Sequence, residues 1–319
     1  MDINLSKISS LDGMNSFLSD TTLDDEGIIN LSSNGVTSIP PLALSFIMAQ
    51  AMKVQTNGGT INLSLGNSKL IAELVKMDFY KILMLSFESS LDEESSGKFI
   101  PLTQLINSIS LTNFIRDLVP LLHTTQEKAD IIKYVISEIV RNVLEHSDSH
   151  LGAFVCGRYN PYKKQVELGI CDVGIGIKHS IQKSHITETH EEAILLALTP
   201  GITGTTRKIE GTFDNAGMGL FFSMNMAKVS GGQFFLYSGD TSYIVKKTPT
   251  NQEIQINANP KIAATIKKDL PLFYGTLIGI EISTESNQQL NELLVEISNV
   301  ARLEIKRRKK NRFRRPNFI

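Results

Sequence analysis

Two cysteines in 319 residues are too few for a disulfide scaffold. Cys156 and Cys171 both fall in apolar, strand-like stretches, so buried reduced thiols are expected in place of a bridge or a metal site. Long apolar runs are missing too. None approaches the roughly 18 residues of a membrane span, and the opening MDINLSKISS has no apolar core of the secretory-signal kind. A cytoplasmic chain without membrane association is therefore expected. There is no fixed-period repeat, and neither His179, His185 and His190 nor His146, Asp148 and His150 follow a zinc spacing. Net charge is only −1, and a hydrophobic content of 41% excludes a disordered composition and suffices for two compact cores.

What is present begins with SEIVRNVLEHS, Ser137 to Ser147. At about 100° per residue, Ile132, Val135, Ile136, Ile139 and Val143 form one arc of a helix, and Glu138, Asn142 and Glu145 form another beside it. A carboxylate and a carboxamide one turn apart can act on one object. The amide oxygen can ligate a hard cation, and the carboxylate can orient or deprotonate a water or hydroxyl. A solvated polar face has the same pattern.

Two glycine-bearing segments follow. KQVELGICD, Lys164 to Asp172, reads as a strand and leads into Val173-Gly174-Ile175-Gly176-Ile177. An Asp at a strand end can accept a hydrogen bond from an exocyclic amine such as that of adenine, and glycines let a planar ring approach the backbone. Asn215-Ala216-Gly217-Met218-Gly219-Leu220 then opens an apolar helix that stops at Gly231-Gly232. Free N–H groups at such a helix start favour phosphate oxygens. A glycine turn and a capped core helix would explain each segment singly; their order and spacing together point to a nucleotide pocket.

On these residues the chain resembles the ATP-binding (Bergerat, or GHKL) domain shared by DNA gyrase, Hsp90, histidine kinases and MutL, and is closest to the branch of the anti-sigma-factor serine kinases. The resemblance covers about residues 125 to 285. It implies Glu138 as general base, Asn142 as Mg²⁺ ligand, and Asp172, Gly174 and Gly176 as an adenine box. Gly217, Gly219 and Leu220 match the phosphate loop, and Thr276 of Gly275-Thr276 helps fix the adenine. His146, Ile177 and Met218 complete the implied nucleotide-binding set. Thr199 to Asn215, rich in glycine, threonine and base, reads as a lid that brings Arg207 or Lys208 toward the β- and γ-phosphates. ATP and Mg²⁺ are the expected ligands. A histidine kinase is disfavoured, because His123 lacks the acidic neighbour and following proline of that family's histidine motif.

The first third has strand-like Ile28 to Ser32, an apolar helix over Leu42 to Val54, a strand over Thr60 to Leu65, an amphipathic helix over Lys69 to Met77 and strand-like Ile82 to Phe87. This β-α-β-α-β order is similar to the anti-sigma-factor-antagonist (STAS) domain. The phosphoacceptor turn of that family is absent. Only Ser38 or Thr37 could stand in for it, and Ser38 before Pro40-Pro41 reads better as a helix N-cap.

The expected organisation is thus two domains of α+β or α/β class. After an N-terminal segment (1–19) come a small STAS-like α/β domain (20–87), an acidic, serine-rich linker and bridging segment (88–122), and a Bergerat α/β sandwich (123–285). That sandwich would have a mixed sheet with helices on one face. A C-terminal helix with a basic tail closes the chain (286–319). The leading expectation is an ATP-binding regulatory protein that hydrolyses ATP or transfers phosphate to a Ser or Thr of a protein partner, with room for a homodimer. The alternatives are a non-hydrolysing ATP-gated interaction module and an ATP-gated protein that contacts nucleic acid through its basic tail.

Overall fold

The computed structural model describes residues 1–8, 10–21, 27–33, 35–84, 99–118, 126–202, 217–247, 256–262, 264–284 and 290–312. Strand β1 (Asp2–Asn4), helix α1 (Met14–Ser19), β2 (Ile28–Ser33), α2 (Pro41–Thr56), β3 (Thr60–Leu65), α3 (Ser68–Lys76) and the short α4 (Phe79–Ile82) come first. Then follow β4 (Phe99–Leu105), α5 (Ser108–Leu118), α6 (Gln126–His146), β5 (Ala153–Asn160), β6 (Gln165–Asp172), α7 (Gly176–Gln182) and α8 (His190–Ala197). Helix α9 (Gly219–Val229), β7 (Gln233–Gly239), β8 (Thr241–Val245), β9 (Ala264–Lys267), β10 (Phe273–Ser283) and α10 (Leu290–Arg312) complete the order.

The protein is mixed α/β. Strands β1-β2-β3 make a three-stranded parallel sheet. A seven-stranded sheet in the order β4-β5-β6-β10-β7-β8-β9 is antiparallel at every pairing. The expected mixed sheet is therefore corrected. Hairpin-type connections and the return of β10 between β6 and β7 build it without a parallel crossover.

Both faces of the large sheet are covered, which is why β6 is buried at all eight positions. Val166, Leu168 and Ile170 turn to a layer holding Ile132, Ile136 and Ile139 of α6, Phe222 of α9 and Leu293 and Ile297 of α10. Cys171, with Phe154 and Cys156 of β5, Phe235 and Tyr237 of β7 and Leu277 of β10, turns the other way, toward Leu42, Phe46 and Ile47 of α2. Helices thus lie on two faces, not one.

From Pro41 to Ala51 helix α2 is apolar apart from Ser45 and Gln50, and every one of these residues is buried. Such a helix has no solvent face to offer and must be enclosed. It sits directly on the strand glycines: a Cβ on Gly169 would lie 2.2 Å from the Pro41 carbonyl oxygen, and one on Gly279 would lie 2.8 Å from Leu42. Ser45 Oγ donates to the Gly169 carbonyl at 2.8 Å, and Cys156 Sγ to the Pro41 carbonyl at 3.3 Å. The first third therefore shares a core with the large sheet.

Several boundaries differ from expectation. Residues 2–4 already belong to the small sheet, and Phe99–Leu105, read as a bridge, is an edge strand of the large one. The strand expected from Ile82 is the end of α4, where Phe79 and Leu83 are buried one helical turn apart; residues 85–87 lie outside the described set. Ser38 is not the α2 cap. Pro40 occupies that position, and Ser38 Oγ instead donates to Glu73 Oε1 at 2.9 Å and accepts from Arg158. Arg158 also donates to Glu167 at 2.7 Å and lies 3.4 Å from Glu73, tying α3 to β5 and β6. Burial raises the Glu73 pKa, and Ser38 and Arg158 oppose that shift.

The free thiols are buried, as expected. Desolvation pushes Cys156 up to about 12 and Cys171 well above its usual value, so little nucleophilic thiolate exists near neutrality. Native protein at pH 8 should react with an aromatic disulfide reagent only as fast as it unfolds. Prompt stoichiometric labelling of either thiol would contradict this packing.

Candidate functional site

Helix α6 lays its apolar arc, Ile132, Val135, Ile136, Ile139 and Val143, into the core and leaves Glu138 and Asn142 half-buried beside it. Glu138 Oε1 accepts from Arg141 Nη1 at 3.0 Å. Desolvation raises the Glu138 pKa; Arg141 lowers it, and the neighbouring Glu145 adds to the rise. A carboxyl tuned upward in this way is a better proton acceptor near neutral pH than an exposed one.

The first residue of α9 meets this face. A Cβ on Gly219 would stand 2.9 Å from Asn142 Nδ2 and 3.0 Å from Glu138 Oε2, so any larger residue there would push these two side-chain ends aside. Met218, at the N-cap, is buried and its carbonyl accepts from Phe222 N at 2.8 Å, while no side chain among the described residues caps the N–H groups of the first turn. Leu220 packs half-buried against the helical layer. The first and third motifs, distant in sequence, thus share one spot.

The second motif docks on the end of α6. Ile175 N donates to the Ser147 carbonyl at 2.7 Å, and a Cβ on Gly174 would lie 2.0 Å from that same oxygen. Asp172, 1% exposed at the end of β6, accepts from Gly174 N at 2.8 Å through Oδ1. Its Oδ2 is buried and makes no hydrogen bond of good geometry with a described residue, the Thr276 hydroxyl and amide being near enough only to bias the carboxylate. Thr276 stands opposite Asp172 in the β6–β10 register. Burial pushes Asp172 up to about 7; the Gly174 N–H and the Thr276 hydroxyl and amide pull the other way.

Gly176 opens α7 at φ 74°, facing Ser238 Oγ and Gly275. Ile177 N donates to Ser238 Oγ at 2.9 Å, and that hydroxyl donates to the Gly275 carbonyl at 2.7 Å. Ser238 joins the second motif to the Gly275-Thr276 strand, and sequence reading missed it. Its only signal was a lone hydroxyl at the end of an apolar strand. Ser147, which receives Ile175, was missed as well.

His146 is half-buried. Its Nδ1 is buried with no well-formed hydrogen bond to a described residue, Nε2 lies 3.9 Å from Glu145, and burial lowers its pKa against the opposing pull of Glu145. Arg207 and Lys208 lie outside the described residues, as does most of the expected lid. Its approach is described: Gly201 N donates to the Gly217 carbonyl at 2.9 Å, and a Cβ on Gly217, at φ 72°, would lie 2.6 Å from the Ile202 carbonyl oxygen. Helix α10 packs on this approach through Ile305, and Arg308 donates to the Pro200 carbonyl.

Asn142, Glu138 and Gly219 therefore form one cluster, and Asp172, Gly174, Gly176, Ser238, Gly275 and Thr276 form a second, joined to it through Ser147 at the end of α6. No protein-family model matches the sequence, and no curated protein matches it.

Proposed function

We propose that this chain is an ATP-binding regulatory protein of the Bergerat (GHKL) class, with a mechanism of phosphate release or transfer to a protein Ser or Thr. The observation that carries the reading is Asp172. A buried carboxylate oxygen without a well-formed hydrogen bond to any described residue is costly unless a ligand supplies a donor, and the exocyclic amine of adenine is one. The glycines around it serve the reading by letting the loop seat closely on Ser147, Ser238 and Gly275, which fixes Asp172 at the end of β6. At the other end, the first turn of α9, which no described side chain caps, presents N–H groups for phosphate oxygens, and Asn142 is the residue that would hold Mg²⁺. Bound there, Mg²⁺ would neutralise charge on the phosphates.

Glu138 has the chemistry for general base toward the attacking water or hydroxyl, helped by its raised pKa. Glu138→Gln should bind Mg-ATP within about threefold of wild type and lose turnover by about 10²–10⁴-fold, the usual worth of a positioned base. Radiolabelled ATP provides the readout: free phosphate marks an ATPase and labelled partner a kinase. Unchanged turnover in Glu138→Gln would remove the base assignment, and failure of the wild type to bind ATP would remove the reading altogether.

A further inference from the structure

The outward face of α10 belongs to neither cluster. From Arg302 to Arg315 the sequence has nine basic residues against one acid, a net +8, whereas the whole chain carries −1 and its remainder therefore −9. Charge this segregated is a local field, not a general solubility device. On the helix, Arg302, Lys306 and Lys310 are exposed four residues apart, about 6 Å along the axis at the α-helical rise. None of the three has an ion-pair partner among the described residues. Arg307, also exposed, shares Glu304 at 2.8 Å.

Helix stabilisation does not account for the row. The macrodipole favours cations only within about the last turn, and Arg302 and Lys306 precede that turn of a helix ending at Arg312. A lipid surface is a poor fit, since an interfacial helix needs a free apolar face and α10 has spent its own: Leu293, Ile297 and Ala301 are buried against the rest of the protein. A protein partner is equally poorly served, because among the described residues of this helix only Val295 and Leu303 are large exposed apolar groups and they make no anchor cluster. A phosphodiester backbone needs neither feature, only a rigid row of cations.

We propose that the exposed face of α10, centred on Arg302, Lys306, Arg307 and Lys310, binds the phosphate backbone of nucleic acid without sequence preference. Four phosphates neutralised imply a slope of log affinity on log salt of about −3 to −4, equivalent to roughly a hundredfold loss between about 50 and 200 mM salt. The inference is independent of the nucleotide reading and is tested without ATP.

Full-length protein is titrated onto a labelled random-sequence duplex of about 30 base pairs across that salt range. The triple variant Arg302→Ala, Lys306→Ala, Lys310→Ala should keep the wild-type melting curve, its sites being exposed, and its salt slope should shrink to about −1 as three phosphate contacts vanish. A control triple of equal charge change elsewhere, Lys69→Ala, Lys81→Ala, Lys247→Ala, should bind within about threefold of wild type. The proposal is overturned if the two triples lose affinity equally. Absence of duplex binding by the wild type at about 50 mM salt overturns it too, as does capture by phosphatidylserine vesicles in place of the duplex.

Discussion

Asp172→Asn is expected to weaken Mg-ATP binding by about a hundredfold or more, measured by calorimetric titration, because the amide turns an NH₂ donor toward the amine donor that the carboxylate oxygen would accept. The same change should not unfold the protein. Oδ1 still accepts from Gly174 N, and the substitution removes a charge whose burial is unfavourable. The sign of the pH effect separates this from simple damage. Folding raises the Asp172 pKa from 3.8 to about 7, so between those values the native state holds a proton that the unfolded chain has released. This residue's contribution to stability is therefore best below about pH 4 and falls as pH rises toward 7. The loss is of the order of 4 kcal/mol when the shift is converted at 1.36 kcal/mol per unit. The asparagine variant lacks that slope, so its stability relative to wild type should rise across the window. Nucleotide binding runs the other way. If the ionised form accepts the adenine amine, wild-type affinity should fall about tenfold per unit as pH drops below about 7. Normal Mg-ATP affinity in Asp172→Asn would falsify the site assignment, whatever the melting curve did.

The local pieces of this site were legible because each rests on short-range rules. Glu138 and Asn142 share a helical face by spacing alone, and Gly174, Gly176, Gly217 and Gly219 are glycines for reasons the structure makes explicit: a carbonyl, a hydroxyl or an Asn–Glu pair stands where a Cβ would be. What could not be read was which segments meet across long stretches of chain. Ser238 earns its role only because β10 inserts between β6 and β7, a pairing with no local signature. The same holds for Arg308, whose guanidinium reaches Pro200 from the C-terminal helix. Helix α2 is the instructive case. PLALSFIMAQA has no polar face, and that uniformity was the signal that the helix is enclosed on all sides and is not the half-exposed helix of a free-standing small domain. A β-α-β order described the small parallel sheet correctly but could not tell what lay across the other side of its helix.

That arrangement makes Gly169→Ala a severely damaging substitution for so small an addition. The added Cβ would stand 2.2 Å from the Pro41 carbonyl oxygen, 2.4 Å from its carbon and 2.5 Å from Leu42 N, all backbone atoms at the start of a helix buried on every side. A flexible side chain could swing away; this backbone can move only by lifting α2 off β5, β6 and β10, which also breaks the Ser45 hydroxyl bond to Gly169. Overpacking a core costs about 1–3 kcal/mol even where side chains can adjust, and here the obstacle is main chain, so a loss of about 3 kcal/mol or more in urea unfolding is expected. Gly66→Ala supplies the matched control, since its Cβ would find only the Ser33 carbonyl at 3.9 Å and its φ is not in the left-handed region; it should change stability by less than about 0.5 kcal/mol. Loss of the first third's packing should also expose Cys156 and Cys171, which α2 helps to cover, so the Gly169 variant should label with thiol reagents faster than wild type. If Gly169→Ala were as stable as Gly66→Ala and its thiols stayed protected, α2 would not be seated on the large sheet, and the first third would be a separate unit after all.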